Sequence, residues 1–475
     1  MTYSPPAVEH GPKDGEAAVA QPIAWRVDQL AASYRRRRGI TPEDVVEWYL
    51  ERIGRHDPVV RSMVTVTADL ARRHARAAAR RLAEGDPGPL VGIPVVVKDL
   101  IDVRGVRTTA GSAVLADHVA PTSSVVWKRL ERAGAVLLGK ANTHEFAYGG
   151  TTEPTTNPWN PQHLVGGSSG GPAAALAAGL APLAIGTDTA GSIRIPANLC
   201  GVVGFMPSRG LVSAEGVTPL SPSLDVVGPM GHHPLDMALA MSVLDTGVGA
   251  SRRAWTDTTA IRRRASARRL RFGVLAEPGR MTAGAAAALE RTVTVAKEFG
   301  SVTPVRFAAF EESVYTNFTI LGLEAVVVHD QWRDQRHLYT NYVRERLDEA
   351  SRTTAADYAR AMGLRSLYRE QLDQLLADHD VLLLPGIPYP APPLGVTSVD
   401  VGGVIEDRDT SMCRNMGFAN LTGHPVLALP AGEEGGLPVG VQVVGCRGGD
   451  VDLLAIGGLI ADGLDRPDVA PAFVE

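Results

Sequence analysis

A chain of 475 residues can bury one large core or two ordinary ones, and its 45% apolar and 21% charged residues exclude a disordered or fibrous protein. A net charge of −5 gives no general attraction for nucleic acid or an anionic membrane, and no apolar run reaches the ~18 residues of a membrane span. Three scattered cysteines (Cys200, Cys413, Cys446) exclude a disulfide framework and, lacking a Cys-x-x-Cys pair, a thiolate zinc site. With no charged-then-apolar signal segment, a cytoplasmic location is expected.

In chain order, residues 1–22 read as a mobile tail rich in Pro, Gly and charge, and 23–475 as one large domain. Thr41-Pro42-Glu43-Asp44 is a capped helix start, and Asp69 to Ala83 a second, arginine-studded helix. Apolar runs at Leu90–Val97, Ala135–Leu138, Leu183–Ile185 and Val202–Phe205 then alternate with helical stretches at Pro121–Ala133, Pro172–Leu180 and Pro234–Leu244. A basic connection spans 250–268. A strand at Leu270–Leu275, a helix at Thr282–Phe299 and a long helix from Thr354 follow it, and strands at Val381–Pro385, Val426–Pro430 and Val439–Val444 bring the chain back. This alternation predicts an α/β fold: a single large domain whose central mixed sheet is covered by helices on both faces. Residues 250–380 read as a variable excursion on the substrate side.

The chemistry concentrates in a few residues. The chain has only five lysines, and one of them, Lys98, ends the apolar run Val95-Val96-Val97. Lysine, unlike arginine, loses its proton when desolvated and then serves as a base. Two small-residue stretches downstream present serines: Gly166-Gly167-Ser168-Ser169-Gly170-Gly171 and Ala190-Gly191-Ser192-Ile193-Arg194. A buried lysine with serines on glycine-lined backbone is what nucleophilic acyl transfer needs. Two other motif matches carry less. Gly134 to Ala141 mimics a phosphate-binding loop but ends in Ala, where Ser or Thr would hold magnesium, and its middle reads as a strand. Gly167-Ser168-Ser169-Gly170-Gly171 also fits a nucleophile elbow with Ser169 as nucleophile, and Asp380 and His424 as later partners. The approach to that elbow, however, reads as a loop rather than a strand.

Several long motifs in order complete the picture: Gly92 to Asp99, Asn142 to Gly150, Gly166 to Gly171, Gly186 to Pro196, Ser223-Leu224-Asp225 with Gly228-Pro229, and Asn420 to Pro425. In these the chain resembles the amidase signature family, serine hydrolases with a Ser–cis-Ser–Lys triad, from about residue 25 to 465. The resemblance implies Ser192 as nucleophile, Ser168 as bridging serine on a cis peptide, and Lys98 as base. It implies backbone N–H groups of Thr189, Ala190, Gly191 and Ser192 as the oxyanion hole. Ser169, Asp188 and Arg194 would support the loop, and Phe146, Tyr148, Gly149 and Gly150, with stretches near 310–340 and 386–415, would wall the pocket. Ala190 and Met206 stand where relatives often carry Gly and Lys.

The implied function is cleavage of an amide, carbamate or urea-like C–N bond in a small molecule, without metal or organic cofactor, nucleic-acid partner or membrane. The alternative within the family is the glutamine-hydrolysing subunit of a tRNA-dependent amidotransferase. Arg194-Ile195-Pro196 argues against it, since that protein commonly has Gln in the middle position. The acyl group, the amine and the oligomeric state are not legible, and a homodimer is compatible with the sequence.

Overall fold

The computed structural model describes residues 26–35, 39–86, 88–247, 255, 265, 268–464 and 469–474. The tail expected at 1–22 lies outside the described residues, as does most of the basic connection at 250–268.

Among the described residues thirteen strands follow in order: β1 (Met63–Val66), β2 (Pro94–Lys98), β3 (Val136–Ala141), β4 (Leu183–Asp188), β5 (Val203–Met206), β6 (Val226–Gly231), β7 (Leu270–Leu275), β8 (Gly300–Val305), β9 (Val381–Pro385), β10 (Ser398–Asp400), β11 (Ile405–Asp407), β12 (Val426–Glu434) and β13 (Leu437–Gly445). Eleven of them form one sheet in the order β1-β3-β2-β4-β6-β5-β12-β13-β9-β7-β8, while β10 and β11 make a separate hairpin. The sheet is mixed. Strand β2 runs parallel to β3 and β4, and β7 parallel to β8 and β9, while the remaining pairs are antiparallel. Every residue of β2, β3, β4, β9 and β13 is buried. Successive side chains on a strand point to opposite faces, so such strands require cover on both sides. The molecule is thus the expected α/β domain.

The first long helix runs Pro42–Val60 and starts where the sequence signals it: Thr41 Oγ1 accepts from the N–H of Asp44, whose carboxylate accepts from the N–H of Thr41. The helix Gly170–Ala177 has no polar side chain and no exposed face. The helices Ser313–His329, Asn341–Ala350 and Ala355–Asp378 form a second apolar core with one side of the sheet. In it Phe307, Phe310, Ile320, Val343 and Phe418 meet Leu382, Leu384, Val426 and Val444. The segment read as an excursion therefore supplies both an edge of the main sheet, through β7 and β8, and this second core. No described helix is long and apolar enough to cross a membrane.

Candidate active site

Strands β2 and β4 are parallel neighbours, with Val97 level with Ile185, so their carboxyl ends open side by side. In α/β sheets this is where reactive groups gather. Lys98 is the last residue of β2 and is fully buried. Its Nζ donates to Ser168 Oγ at 2.7 Å and to Thr187 Oγ1 at 2.8 Å. Burial away from water disfavours the ammonium and lowers its pKa to about 7, against the weaker opposing pull of Asp188 and Asp225. Lys140, on the neighbouring strand β3, is equally buried but carries a counter-charge, Asp99 Oδ1, at 2.9 Å. That ion pair gives Lys140 a structural partner, and its strand occupies what would be the middle of a phosphate-binding loop.

Ser168 follows a cis Gly167–Ser168 peptide, and its neighbour Ser169 leads into the helix Gly170–Ala177. Ser169 Oγ donates to the carbonyl of Thr187 at 3.1 Å and accepts from the N–H of Thr187 at 3.3 Å. Its N–H donates to the carbonyl of Ser192 at 3.1 Å, tying the two serine loops together. The hydroxyl of Ser169 is thus engaged by backbone. The partners an elbow mechanism would need are engaged elsewhere, His424 with Asp373 and Asp380 with Arg268.

Between β4 and the helix Arg194–Cys200 the chain makes a tight loop held from within. The carboxylate of Asp188 accepts from the N–H of Gly191 (2.8 Å) and of Ile193 (3.1 Å), and from Arg194 Nε and Nη2, both at 3.0 Å. Both side chains of this fork-to-fork pair are fully buried. The guanidinium pulls the carboxyl of Asp188 below its ordinary range despite burial. The Gly191 N–H is therefore committed to Asp188, and of the four expected oxyanion donors Thr189, Ala190 and Ser192 keep N–H groups outside that clamp.

Ser192, Thr189, Ala190 and Gly167 line a cavity of about 410 Å³. Tyr148, Gly149 and Gly150 line it too, as do Tyr315, Phe318 and Leu321 from the 310–340 stretch and Asp409 and Cys413 from the 386–415 stretch. Phe146 does not. Phe146 and Ala147 take left-handed backbone (φ 49° and 59°), which turns the Phe146 ring outward against His329, Trp332 and Tyr339, with centroids 4.7, 4.8 and 5.4 Å away. A family model described as Amidase matches residues 44–454. The chain belongs to the amidase signature family.

Curated relatives agree. The chain is 36% identical over 431 residues to a glutamyl-tRNA(Gln) amidotransferase subunit of Deinococcus radiodurans, covering 82% of this chain and 88% of that one. It is also 36% identical over 437 residues to the 1-carboxybiuret hydrolase subunit AtzE of Pseudomonas sp. strain ADP, covering 88% and 94%. Among solved structures, a chain of a vestigial protein complex, described as revealing the evolutionary origins of an s-triazine catabolic enzyme, superposes with a TM-score of 0.86 at 33% identity, over 93% of this chain and 99% of that chain. Cleavage of amide-type C–N bonds is thereby supported at the level of the amidase signature family.

Against the family pattern, Ala190 is accommodated without strain, since it is absent from the positive-φ residues, whereas Gly191 has φ 115°. Met206 is fully buried in the second core. The sequence reading missed Tyr342, Arg346 and Glu349, which share one face of the helix Asn341–Ala350 and reach the cavity together. Their 0, 4, 7 spacing behind the cap Thr340 was the available signal. Thr187, the second partner of Lys98, was visible in Gly186-Thr187-Asp188 but had no role assigned.

Proposed function

We propose that this chain is a serine amidohydrolase that cleaves a carboxamide or related C–N bond through an acyl-enzyme on Ser192, with Lys98 as base and Ser168 as relay. The observation that carries this reading is Lys98: fully buried, its Nζ 2.7 Å from Ser168 Oγ, and with no carboxylate partner among the described residues. A serine hydroxyl is a weak nucleophile until a positioned base takes its proton, and a lysine with a pKa of about 7 is half neutral at physiological pH. Ser192 Oγ attacks the carbonyl carbon while its proton passes through Ser168 Oγ to Lys98 Nζ. The tetrahedral intermediate collapses as that proton returns by the same route to the departing nitrogen. Water then attacks the ester carbon, gives its proton to the relay, and Ser192 is released. The N–H groups of Thr189, Ala190 and Ser192 are the candidate donors to the oxyanion.

The cavity wall favours an alkyl or aryl group on the substrate. Ile195, Leu220, Phe318 and Leu321 line it, and its charged groups already have partners: Arg346 pairs with Glu349 at 3.1 Å, and Asp409 accepts from Tyr342 Oη at 3.0 Å and Arg408 Nε at 2.9 Å. Glutamine would bring a zwitterion to a wall whose charged groups already have partners. The second reading, the glutamine-hydrolysing subunit of an amidotransferase, is favoured by the name of the 36%-identical relative from Deinococcus radiodurans.

Release of ammonia or amine by the purified chain alone, across glutamine and a panel of alkyl, aryl and carbamate substrates, separates the two. Turnover of an aryl or alkyl amide that vanishes in Ser192→Ala is the expected result. Turnover of glutamine alone would select the second reading, and full activity in Ser192→Ala would overturn the mechanism.

A further inference from the structure

The oxyanion loop is aimed from behind. A trans peptide is planar with its C=O and N–H pointing in opposite directions, so anchoring a carbonyl fixes where the next residue's N–H points. The three peptides that carry the candidate donors are all trans, and the carbonyl of each is anchored. The carbonyl of Asp188 accepts from Asn420 Nδ2 at 2.9 Å, which directs the N–H of Thr189. The carbonyl of Gly191 accepts from the N–H of Ile195 at 2.6 Å, which directs the N–H of Ser192. The carbonyl of Thr189 accepts from Asn317 Nδ2 at 3.2 Å, which directs the N–H of Ala190, a residue of the cavity wall. Two of these anchors come from segments that carry the family motifs. The third does not: Asn317 belongs to the helix Ser313–His329, whose Tyr315, Phe318 and Leu321 wall the same cavity.

We infer that Asn317 is a positioning residue for amide cleavage: from the helix that walls the substrate cavity, its side-chain N–H holds the Thr189 carbonyl and so aims the Ala190 N–H at the developing oxyanion. Asn317 is fully buried, and its Nδ2 also donates to the carbonyl of Gly417 at 3.3 Å, which fixes the side-chain amide between two backbone segments. Thr189 is gripped from its other end as well, because Thr189 Oγ1 donates to Asp225 Oδ1 at 2.6 Å and Asp225 is held by the N–H groups of Leu220 and Ser221. With the side chain tied to Asp225, the Thr189–Ala190 peptide plane retains one soft motion, rotation about its own ends, and the Asn317 contact is what opposes it. The consequence is specific to catalysis. An oxyanion donor acts on the tetrahedral species and not on the ground-state carbonyl, so its misalignment lowers kcat and leaves KM nearly unchanged. It also couples the substrate wall to the reacting centre, since any displacement of the helix Ser313–His329 moves Asn317 with it.

This inference rests on the acyl-enzyme reading above, and the test separates the two. Wild type, Ser192→Ala, Asn317→Ala and Asn317→Asp are compared on p-nitrophenyl butyrate. For each, the affinity of a phenyl trifluoromethyl ketone is measured, because that ketone adds a serine to form an oxyanion. Asn317→Asp preserves shape and replaces the donor with an acceptor, so it remains informative if Asn317→Ala fails to fold, with circular dichroism and a thermal melt certifying each variant. Removing an oxyanion donor outright costs about 10²–10³ in kcat, so misaiming one predicts a loss of roughly 10- to 100-fold. KM should stay within about threefold, ketone affinity should weaken by a factor matching the loss in kcat, and the pH profile should keep its midpoint. A folded Asn317→Asp with wild-type kcat, or a loss of kcat with ketone affinity intact, would overturn the role of Asn317 while leaving Ser192 in place. Activity surviving in Ser192→Ala would instead overturn the acyl-enzyme reading beneath it.

Discussion

Two fully buried lysines on adjacent strands differ in their surroundings, and the difference is what supports the proposal that Lys98 is a base. Lys140 pairs with Asp99, whereas among the described residues Lys98 hydrogen-bonds to the hydroxyls of Ser168 and Thr187 and has no carboxylate in contact. Lys98 titrates near 7 in the fold and near ~10.4 in the unfolded chain, so the unfolded chain binds more protons across that window. Stability therefore rises with pH from about 7 to ~10, and the destabilisation due to Lys98 is fully present below pH about 7. Lys98→Met is accordingly predicted to be inactive yet more stable than wild type at pH 6 in urea denaturation, by at most ~5 kcal/mol, with the advantage shrinking toward pH ~10. The loss of hydrogen bonds at Ser168 and Thr187 reduces the gain. Lys140→Met is predicted to go the other way, losing ~3–5 kcal/mol because Asp99 is left buried and unpaired. For activity the sign is the same as for proton release: kcat/KM should climb through pH about 7 and level off above it, and a rate independent of pH between 6 and 9 would contradict Lys98 as base.

At the scale of elements, the loop from Asp188 to Arg194 is specified by one carboxylate and one glycine. Gly191 adopts φ 115°, and a Cβ there would stand 2.7 Å from Met416 Cβ. Gly191→Ala is predicted to lose about 100-fold or more in kcat and ~1–3 kcal/mol in stability, read from turnover of p-nitrophenyl butyrate and from denaturation midpoints. Elements whose residues all favour one state were legible in the sequence: Val95 to Lys98, the cap at Thr41, and the Thr282 start of the helix Ala283–Phe299. Strand β6 was not legible, because Gly228-Pro229 reads as a break. In the sheet, the β5 ladder covers only Met230 and Gly231, so Pro229 sits where pairing on that side has ended. Gly228 is required by a close approach, since a Cβ there would lie 2.1 Å from the carbonyl oxygen of Phe205. Edge strand β8 hid behind Pro304 in the same way, and an edge position tolerates it.

Across the whole molecule, the serines and the lysine each lie within a contiguous motif, whereas the cavity wall draws on loops and helices spread from Ala147 to Cys413. Lys98, Ser168 and Ser192 stand out in residue order, whereas Tyr342, Arg346 and Glu349 carry only the 0, 4, 7 spacing of one helix face, and Phe146, adjacent to lining residues, is turned away from the cavity by its own backbone. The wall hangs on the second core, where Phe418 packs against Phe310 and Phe307 at 5.6 and 6.0 Å. Phe418→Ala is predicted to cost ~3–5 kcal/mol in urea unfolding, and to raise KM because the helices that line the cavity lose their common support.

Ser192 is proposed as the nucleophile, and Lys98 as its base. The most direct test is fluorophosphonate labelling of the intact chain, with the modified residue located by mass spectrometry and the rate followed against pH. The expected result is a single adduct on Ser192, a rate rising through pH about 7, and labelling abolished in Lys98→Met. An adduct on Ser169, or labelling of Ser192 at the same rate with and without Lys98, would contradict it.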